Sequence, residues 1–212
     1  MAFPSELLLS KAKVGKIITL EGIEKSGKTT QAQMLSHYLS KEKHLNTAHF
    51  DLPDYQTDVG QLIYKYLNQA EMPSNPEVLH LLYAANRYEI RDVINFHLND
   101  GYVVIMNRYY QSNIVYGSVN GLEIRWLYTL DKNMPRSDLT IILDVPVQIT
   151  EKRGTCLAKN RFEHDREFKE RVREAFLTLA EKEKWNVIDA ARSKEDIHND
   201  IIRIVESHLE VS

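Results

Sequence analysis

The residues from Gly22 to Thr29 constrain this chain more than any other segment, because they follow the pattern Gly-x-x-x-x-Gly-Lys-Thr. A buried, β-prone run at residues 16–21 precedes the pattern, and residues 29–40 have the composition and spacing of a helix. Glycines let the backbone curl so that successive N–H groups point at one anion, and the positive end of the helix adds to the attraction. The pattern in this setting predicts a loop that binds the phosphates of a nucleoside triphosphate.

Two side chains of this loop have separate predicted tasks. We expect Lys28 to reach the β- and γ-phosphates, and the hydroxyl of Thr29 to coordinate Mg²⁺. The loop alone does not separate a kinase from a GTPase, an ATP-driven motor or a binding switch. No Asn-Lys-x-Asp motif for reading guanine is present, and one core uses nearly all of the 212 residues. Both observations favour a kinase that acts on a small molecule.

Short apolar runs alternate with longer amphipathic stretches along the rest of the chain. Further strands are predicted at residues 46–51, 101–106, 138–144 and 185–189, and further helices at residues 77–99, 165–183 and 193–209. Alternating strands and helices imply right-handed crossovers and a parallel sheet covered on both faces. We therefore predict one α/β domain over residues 16–212, with about five strands, after an N-terminal extension of residues 1–15.

The most polar stretch interrupts this alternation at about residues 153–166. It carries four cationic side chains and little that could be buried: Arg153, Lys159, Arg161 and Arg166. A segment of this composition between two helices predicts a mobile lid.

Composition excludes several classes of protein. The 27 Lys and Arg residues are balanced by 30 Asp and Glu residues, so the overall charge does not indicate a nucleic-acid partner. The single cysteine, Cys156, excludes an internal disulfide and fits a reducing compartment. No apolar run approaches the roughly 20 residues that a membrane helix needs. We expect a cytoplasmic enzyme without a membrane partner.

Four segments together resemble the thymidylate kinases, a family of P-loop nucleoside monophosphate kinases. Residues 20–31, Leu-Glu-Gly-Ile-Glu-Lys-Ser-Gly-Lys-Thr-Thr-Gln, resemble the opening of that family. Residues 52–55 with Gly60, residues 82–89 and residues 107–109 resemble its Pro-containing loop, its base-reading helix and its Asp-Arg-Tyr/His segment. The polar stretch and residues 187–190 also fit, so the resemblance covers nearly all of residues 16–209.

The resemblance implies a site for each of two nucleotides. For ATP it implies Gly22, Glu24, Lys25, Ser26, Gly27, Lys28, Thr29, Thr30, Arg153 and Ala190, with Mg²⁺ on Thr29. For dTMP it implies Glu24, Pro53, Tyr83, Arg87, Arg108, Ser112, Tyr116 and Phe162. The implied catalytic residues are Lys28, Lys25, Arg161 and Arg108.

The residue types suit these implied roles. Tyr83 would stack on the thymine ring, and Arg87 would donate to a thymine carbonyl oxygen, where cytosine carries an amino group that cannot accept. Arg108 would clamp the acceptor phosphate with its planar fork. Tyr116 would leave no room for a 2′-hydroxyl, and Glu24 would accept a hydrogen bond from the 3′-hydroxyl.

The donor side has its own implied roles. Lys25 and Arg161 would each supply positive charge in the transition state, and the sequence does not decide which contributes more. Arg153 would stack on adenine, whose edge the backbone near Ala190 would read.

The chain departs from the family pattern at several positions. Asn107 stands where the family usually has an aspartate, which removes a negative charge near the metal; Asp54 and Asp144 are candidate substitutes. Tyr55 replaces an arginine that often shares the acceptor phosphate. Leu52 replaces the aromatic residue that commonly begins the Pro-containing loop, and Phe162 replaces the tyrosine of the lid.

The resemblance implies transfer of the γ-phosphate of ATP to dTMP, with Mg²⁺, in a homodimer built from helices at the sheet's edge. Two alternatives stay open at this point. One is a kinase for another deoxynucleotide or a deoxynucleoside, and the other is a weakly active nucleotide-binding homologue.

Overall fold

The computed structural model describes residues 14–68, 75–153 and 166–210. Five strands lie within these ranges: β1 (Lys16–Glu21), β2 (Thr47–Asp51), β3 (Val103–Asn107), β4 (Leu139–Asp144) and β5 (Asn186–Asp189). The helices are α1 (Lys28–Lys41), α2 (Asp58–Asn68), α3 (Pro76–Glu89), α4 (Arg91–Asn99), α5 (Tyr110–Val119), α6 (Ile124–Leu130), α7 (Val147–Arg153), α8 (Arg166–Glu183) and α9 (Lys194–Glu210). Residues 1–13, most of the predicted extension, and residues 154–165, most of the predicted lid, lie outside the described ranges.

The strands form one parallel sheet in the order β2-β3-β1-β4-β5. All five residues of β3 and five of the six residues of β1 are buried. Since successive side chains of a strand point to opposite faces, burial of consecutive residues means that helices cover both faces. The predicted α/β fold with five parallel strands is confirmed.

The register of the strands gathers several polar residues at one edge of the sheet. Asn107 pairs with Leu20 of β1 on one side and with Asp51 of β2 on the other. Glu21, the last residue of β1, pairs with Ile142 of β4. The carboxyl ends of all these strands face the same way, which is where ligands bind in open α/β sheets.

The prediction of one helix over residues 77–99 is wrong. Helix α3 ends at Glu89, and α4 begins at Arg91. Between them Ile90 has φ −101° and ψ 1°, and its N–H group donates to the carbonyls of Arg87 and Tyr88. The apolar spacing continues across this one residue, so periodicity alone does not reveal the break. The sequence also did not predict α2, α5, α6 or α7 as helices.

No helix in the described part of the chain is both long and apolar enough to cross a membrane.

Candidate active site

The phosphate loop joins the end of β1 to the start of α1. Gly22 has φ +139° and Gly27, the residue that caps α1, has φ +103°. A Cβ atom on Gly22 would lie 2.6 Å from the carbonyl oxygen of Leu143. Gly22 is therefore required both for its backbone conformation and for its contact with β4.

The Lys28 side chain lies folded against this loop and is buried. Its ammonium group donates to the carbonyl oxygens of Gly22 at 3.0 Å and Ile23 at 2.8 Å. Burial, together with the nearby Arg108 guanidinium, lowers the pKa of Lys28 to about 7, although Glu24 and Glu21 act in the other direction. Phosphate groups arriving at the loop would favour the charged ammonium.

We expect nucleotide binding to be linked to proton uptake by Lys28. The free protein holds the pKa of this amine near 7, and bound phosphates raise it. Affinity should therefore fall as pH rises above about 7, by at most about tenfold per pH unit. Calorimetric titration with ADP at pH 8, in buffers of different ionisation enthalpy, should show uptake of close to one proton. Buffer-independent heats, or the same uptake in Lys28→Met, would contradict this.

Eight of the ten predicted ATP residues line one continuous pocket, here called the phosphate-loop pocket, whereas Gly22 and Ala190 are not part of its lining. Its lining comprises Glu24, Lys25, Ser26, Gly27, Lys28, Thr29, Thr30, Gln31, Leu52, Asn107, Arg108, Arg153, Arg192, Lys194 and Ile197. Arg153 donates from Nη2 to the carbonyl oxygen of Ala190 at 2.8 Å and from Nη1 to that of Lys25 at 3.4 Å. The structure thus brings together Arg153 and Ala190, which are 37 residues apart. Arg192 and Lys194 were not predicted from the sequence.

A second pocket, here called the adjoining pocket, opens beside the phosphate loop. It is lined by Glu24, Leu52, Pro53, Tyr55, Leu67, Leu79, His80, Tyr83, Asn86, Arg87, Arg108, Tyr109, Ser112, Asn113, Tyr116, Asn120 and Phe168. Every predicted dTMP residue within the described ranges lines this pocket. Phe162 and Arg161 lie outside the described residues, so their predicted roles stay predictions.

Arg108 joins the two pockets through a network of hydrogen bonds. Its Nη2 donates to Oε1 of Glu24 at 3.0 Å, and its Nη1 donates to the hydroxyl of Ser112 at 3.0 Å. The Tyr116 hydroxyl donates to the same Glu24 oxygen at 2.8 Å. Ser112 in turn donates to the buried Glu21 at 2.6 Å. The guanidinium is therefore fixed between both pockets before any ligand binds.

The charges of this network perturb one another strongly. Burial alone would raise the pKa of Glu24, but Arg108 and Lys28 outweigh it and hold that pKa below its ordinary value. Burial raises the pKa of Glu21, against the opposing effects of Arg108 and of the hydrogen bonds from Ser112 and Tyr109. Strongly perturbed ionisable groups in a cleft are typical of functional sites.

Backbone strain is concentrated at the same place. Lys25 and Arg108 have φ values of +61° and +66°, a backbone region that residues other than glycine rarely adopt. The other two such residues in the described ranges, His44 and Lys184, follow the ends of α1 and α8, where this conformation is common. Strain maintained at Lys25 and Arg108 indicates that their backbone positions serve a ligand.

One part of the adjoining pocket is aromatic, with Arg87 close by. Tyr83 packs edge-on against His80, with ring centroids 5.8 Å apart. His80 Nδ1 lies 2.7 Å from Oδ1 of Asn113, which can only accept, so Nδ1 carries the hydrogen. Burial lowers the pKa of His80 to about 4, and the ring is neutral at pH 7. A flat, uncharged ring system would suit this aromatic part of the pocket.

Arg87 is held by a partner that the sequence did not reveal. Its Nε and Nη2 donate to the two carboxylate oxygens of Asp131, at 2.6 and 2.7 Å, and both side chains are almost completely buried. This bidentate pair leaves Nη1 of Arg87 outside the pair and fixes the plane of the guanidinium at the pocket wall. Arg87 is thus part of the scaffold as well as of the pocket.

Replacing Asp131 by Asn should destabilise the fold, because it leaves a buried guanidinium without its counter-charge. We expect the free energy of unfolding, measured with urea, to fall by about 3 kcal/mol. Asp92→Asn is a matched control, since Asp92 pairs with Arg91 at 3.2 Å on the exposed surface and should contribute less than about 1 kcal/mol. Equal effects of the two changes would contradict the structural role of Asp131.

Asn86 fixes the Pro-containing loop over the adjoining pocket. Its Oδ1 accepts from the backbone N–H of Asp54 at 2.8 Å, and its Nδ2 donates to the hydroxyl of Thr57 at 2.9 Å. These contacts hold Leu52 and Pro53 at the junction of α3 with the end of β2. The sequence placed Asn86 in the base-reading helix but gave it no role.

The two proposed substitutes for the missing aspartate differ in the structure. Asp144 forms a bidentate ion pair with Arg173, at 2.6 and 2.7 Å, which commits its carboxylate to helix α8. Asp54 accepts a hydrogen bond from the backbone of Gln56. A third carboxylate, Asp51, accepts from Nδ2 of Asn107 at 2.5 Å, and the same Nδ2 donates to the hydroxyl of Thr29 at 3.0 Å. The sequence did not suggest Asp51.

Comparison with known proteins agrees with this geometry. The family model for thymidylate kinase matches residues 20–201. The thymidylate kinase of Dictyostelium discoideum is 33% identical over 93% of this chain and 87% of its own length. The thymidylate kinase of Plasmodium falciparum is 36% identical over 91% of this chain and 90% of its own. The structure of the Candida albicans thymidylate kinase superposes with a TM-score of 0.82, at 30% identity, over 91% of this chain and 92% of that one. The resemblance seen in the sequence is confirmed, and the chain belongs to the thymidylate kinase family.

Proposed function

We propose that this chain transfers the γ-phosphate of ATP to dTMP, giving ADP and dTDP. The observation that carries the proposal is that the phosphate-loop pocket and the adjoining pocket share Glu24, Leu52 and Arg108. A triphosphate on the loop and a monophosphate against Arg108 would therefore meet at one place. The thymidylate kinases of several organisms match along most of the chain and support dTMP as the acceptor.

Positioning and charge account for the catalysis. The acceptor phosphate is already ionised at neutral pH, so no general base is needed. The transfer requires two anions to be held in line while positive groups take up the charge that develops. Lys28 and Arg108 lie on the two sides of the junction, and the backbone of the loop supplies N–H donors. Lys25 and Arg161 would add further charge.

Mg²⁺ would be held at Thr29, and when bound it neutralises charge on the β- and γ-phosphates. The residues around Thr29 fit a hard cation with oxygen ligands. Thr29 lines the phosphate-loop pocket, and its hydroxyl accepts from Nδ2 of Asn107. The other amide atom of Asn107, Oδ1, is buried and has no hydrogen-bond partner among the described residues.

The adjoining pocket would select thymine and deoxyribose. Tyr83 would stack on the base, and the one Arg87 nitrogen that lies outside the pair with Asp131, Nη1, could donate to a carbonyl oxygen of the base. The Tyr116 ring, fixed by its hydrogen bond to Glu24, would close the space beside the sugar. Arg108 and Ser112 would face the acceptor phosphate.

An acceptor panel tests the proposal. ATP and Mg²⁺ are supplied with dTMP, dUMP, dCMP, dGMP, UMP or thymidine, and ADP production is measured. We expect dTMP to give the highest kcat/KM and dCMP the largest loss. The Candida albicans enzyme is described as broad in substrate specificity, so dUMP and dGMP are informative comparisons. Phosphorylation of thymidine but not dTMP would overturn the proposal, as would ADP production that does not respond to any acceptor.

We also propose that the chain forms a homodimer through helices α3 and α4. On α3, Val78, Leu81 and Ala85 are exposed and share one face, and on α4 Val93 and Phe96 are exposed. Exposed apolar side chains clustered in this way are typical of interaction surfaces. Sedimentation should show a dimer that Leu81→Glu dissociates. Val187→Glu, at an equally exposed position on the edge strand β5, should leave the dimer intact. A monomeric parent protein would overturn this proposal. The cytoplasmic location stays a prediction.

A further inference from the structure

The chain lacks the aspartate that its family pattern leads one to expect before Arg108, yet a carboxylate lies one strand away. Asp51 ends β2 and Asn107 ends β3, and the two are register partners in the sheet. Asn107 Nδ2 donates to Oδ1 of Asp51 at 2.5 Å and to the Thr29 hydroxyl at 3.0 Å. The three side chains thus form a continuous chain of contacts, from β2 to the first turn of α1.

The Asp51 carboxylate determines which way the Asn107 amide faces. An ionised carboxylate only accepts hydrogen bonds, so the nitrogen of the amide must point to it. The opposite atom, Oδ1, is then left buried without a hydrogen-bond partner among the described residues, in a side chain that lines the phosphate-loop pocket. Asn107 is only 8% exposed. A buried acceptor of this kind has a desolvation cost that a ligand can relieve.

The chemistry of the site indicates which ligand suits this oxygen. Mg²⁺ prefers oxygen ligands and usually keeps several water molecules, whose hydrogens can donate to a nearby amide oxygen. Residues that hydrogen-bond to a metal's neighbours orient those neighbours and tune the affinity for the metal, although they do not contact the ion themselves. The Asp51 carboxylate, which is hydrogen-bonded to Asn107, is such a residue. It also supplies the negative charge that an asparagine cannot.

We propose that Asp51 is a positioning residue for Mg²⁺ in this chain, acting through Asn107. The carboxylate lies at the end of β2, and the Asn107 amide at the end of β3 links it to Thr29 in the first turn of α1. This inference rests on the proposed function only in placing Mg²⁺ at Thr29. It assigns Asp51 no direct contact with the ion.

The test is the thermodynamic coupling between metal and nucleotide, measured without an acceptor. The dissociation constant of ADP is determined by calorimetry in EDTA and again in excess Mg²⁺, for the parent protein and for Asp51→Asn. In the parent protein Mg²⁺ should strengthen the binding of ADP. We expect this gain in affinity to be about tenfold smaller in the variant, which is typical when a residue that hydrogen-bonds to a metal's neighbours is lost. Metal-free ADP should bind as well or better, because a negative charge near its phosphates is gone. A purely structural role would weaken both measurements together.

Two further variants complete the test. Asp54→Asn removes the same charge three residues away, where the carboxylate contacts Gln56 rather than Asn107, and should leave the coupling unchanged. The double change Asp51→Asn with Asn107→Asp exchanges the carboxylate and the amide, and should restore most of the coupling. The inference is overturned if Asp51→Asn keeps the parent's coupling, if Asp54→Asn loses as much, or if the exchange restores nothing.

This experiment can fail independently of the proposed function. Coupling between Mg²⁺ and ADP needs no acceptor, so it is measurable even if the acceptor panel rejects dTMP. Conversely, the protein could phosphorylate dTMP while Asp51→Asn leaves the coupling between Mg²⁺ and ADP unchanged. That result would support the proposed function and overturn this inference.

Discussion

Replacing Lys28 by Met is expected to lower kcat by about three orders of magnitude, because we propose that its ammonium group stabilises the charge on the transferring phosphate. The amine is buried and lies against the carbonyl oxygens of Gly22 and Ile23 in the free protein. Preorganised charge-assisted donors of this kind are each worth about 10²–10³ in rate, and the phosphoryl group concentrates charge there. Steady-state ADP production with saturating ATP and dTMP measures the loss.

The choice of methionine separates the charge from the packing. Methionine keeps an unbranched apolar stem of similar length, so the loop between Gly22 and Gly27 should keep its shape. Lys41→Met, at the exposed end of the same helix, is the control and should retain the parent's rate. A Lys28→Met protein that keeps more than about a tenth of the parent's kcat would mean that the loop binds nucleotide but does not catalyse its transfer.

Much of the fold was predictable because its signals are local. The phosphate loop has a fixed spacing, and it lies between a buried strand and a helix, both of which the structure confirms. Runs such as Leu139–Asp144 are largely apolar and buried at consecutive positions, which is typical of parallel strands covered on both faces. The break at Ile90 was not predictable in this way, because a single residue changed its backbone angles without disturbing the apolar spacing.

The candidate site was predictable where a residue's chemistry is tied to a motif, and not where it depends on a distant partner. Arg87 was identified within its helix, but Asp131 lies 44 residues further along the chain and carries no motif of its own. Asp51 is a similar case, since only the strand register places it beside Asn107. Sequence separation hides contacts of this kind until the sheet order is known.

Replacing Arg108 by Ala is expected to lower kcat/KM for dTMP by about 10³-fold, equivalent to about 4 kcal/mol of transition-state stabilisation. Two effects add. The change removes the cation that we propose to face the acceptor phosphate, and it leaves the carboxylate of Glu24 without the guanidinium that holds its pKa down. Repulsion between that carboxylate and an incoming phosphate would then be uncompensated. The dissociation constant of ADP, measured separately, should change much less.

Two comparisons isolate the geometry of this arginine from its charge. Arg108→Lys keeps a cation but cannot donate to Glu24 and Ser112 from two fixed nitrogens, so we expect an intermediate loss, mainly in the KM for dTMP. Arg91→Ala is the matched surface control, because Arg91 lies 5.7 Å from the centre of the Tyr88 ring much as Arg108 lies 5.5 Å from that of Tyr116. If Arg108→Ala leaves the KM for dTMP at the parent's value, the acceptor phosphate binds elsewhere. The residues shared by the two pockets would then not be the place where donor and acceptor phosphates meet.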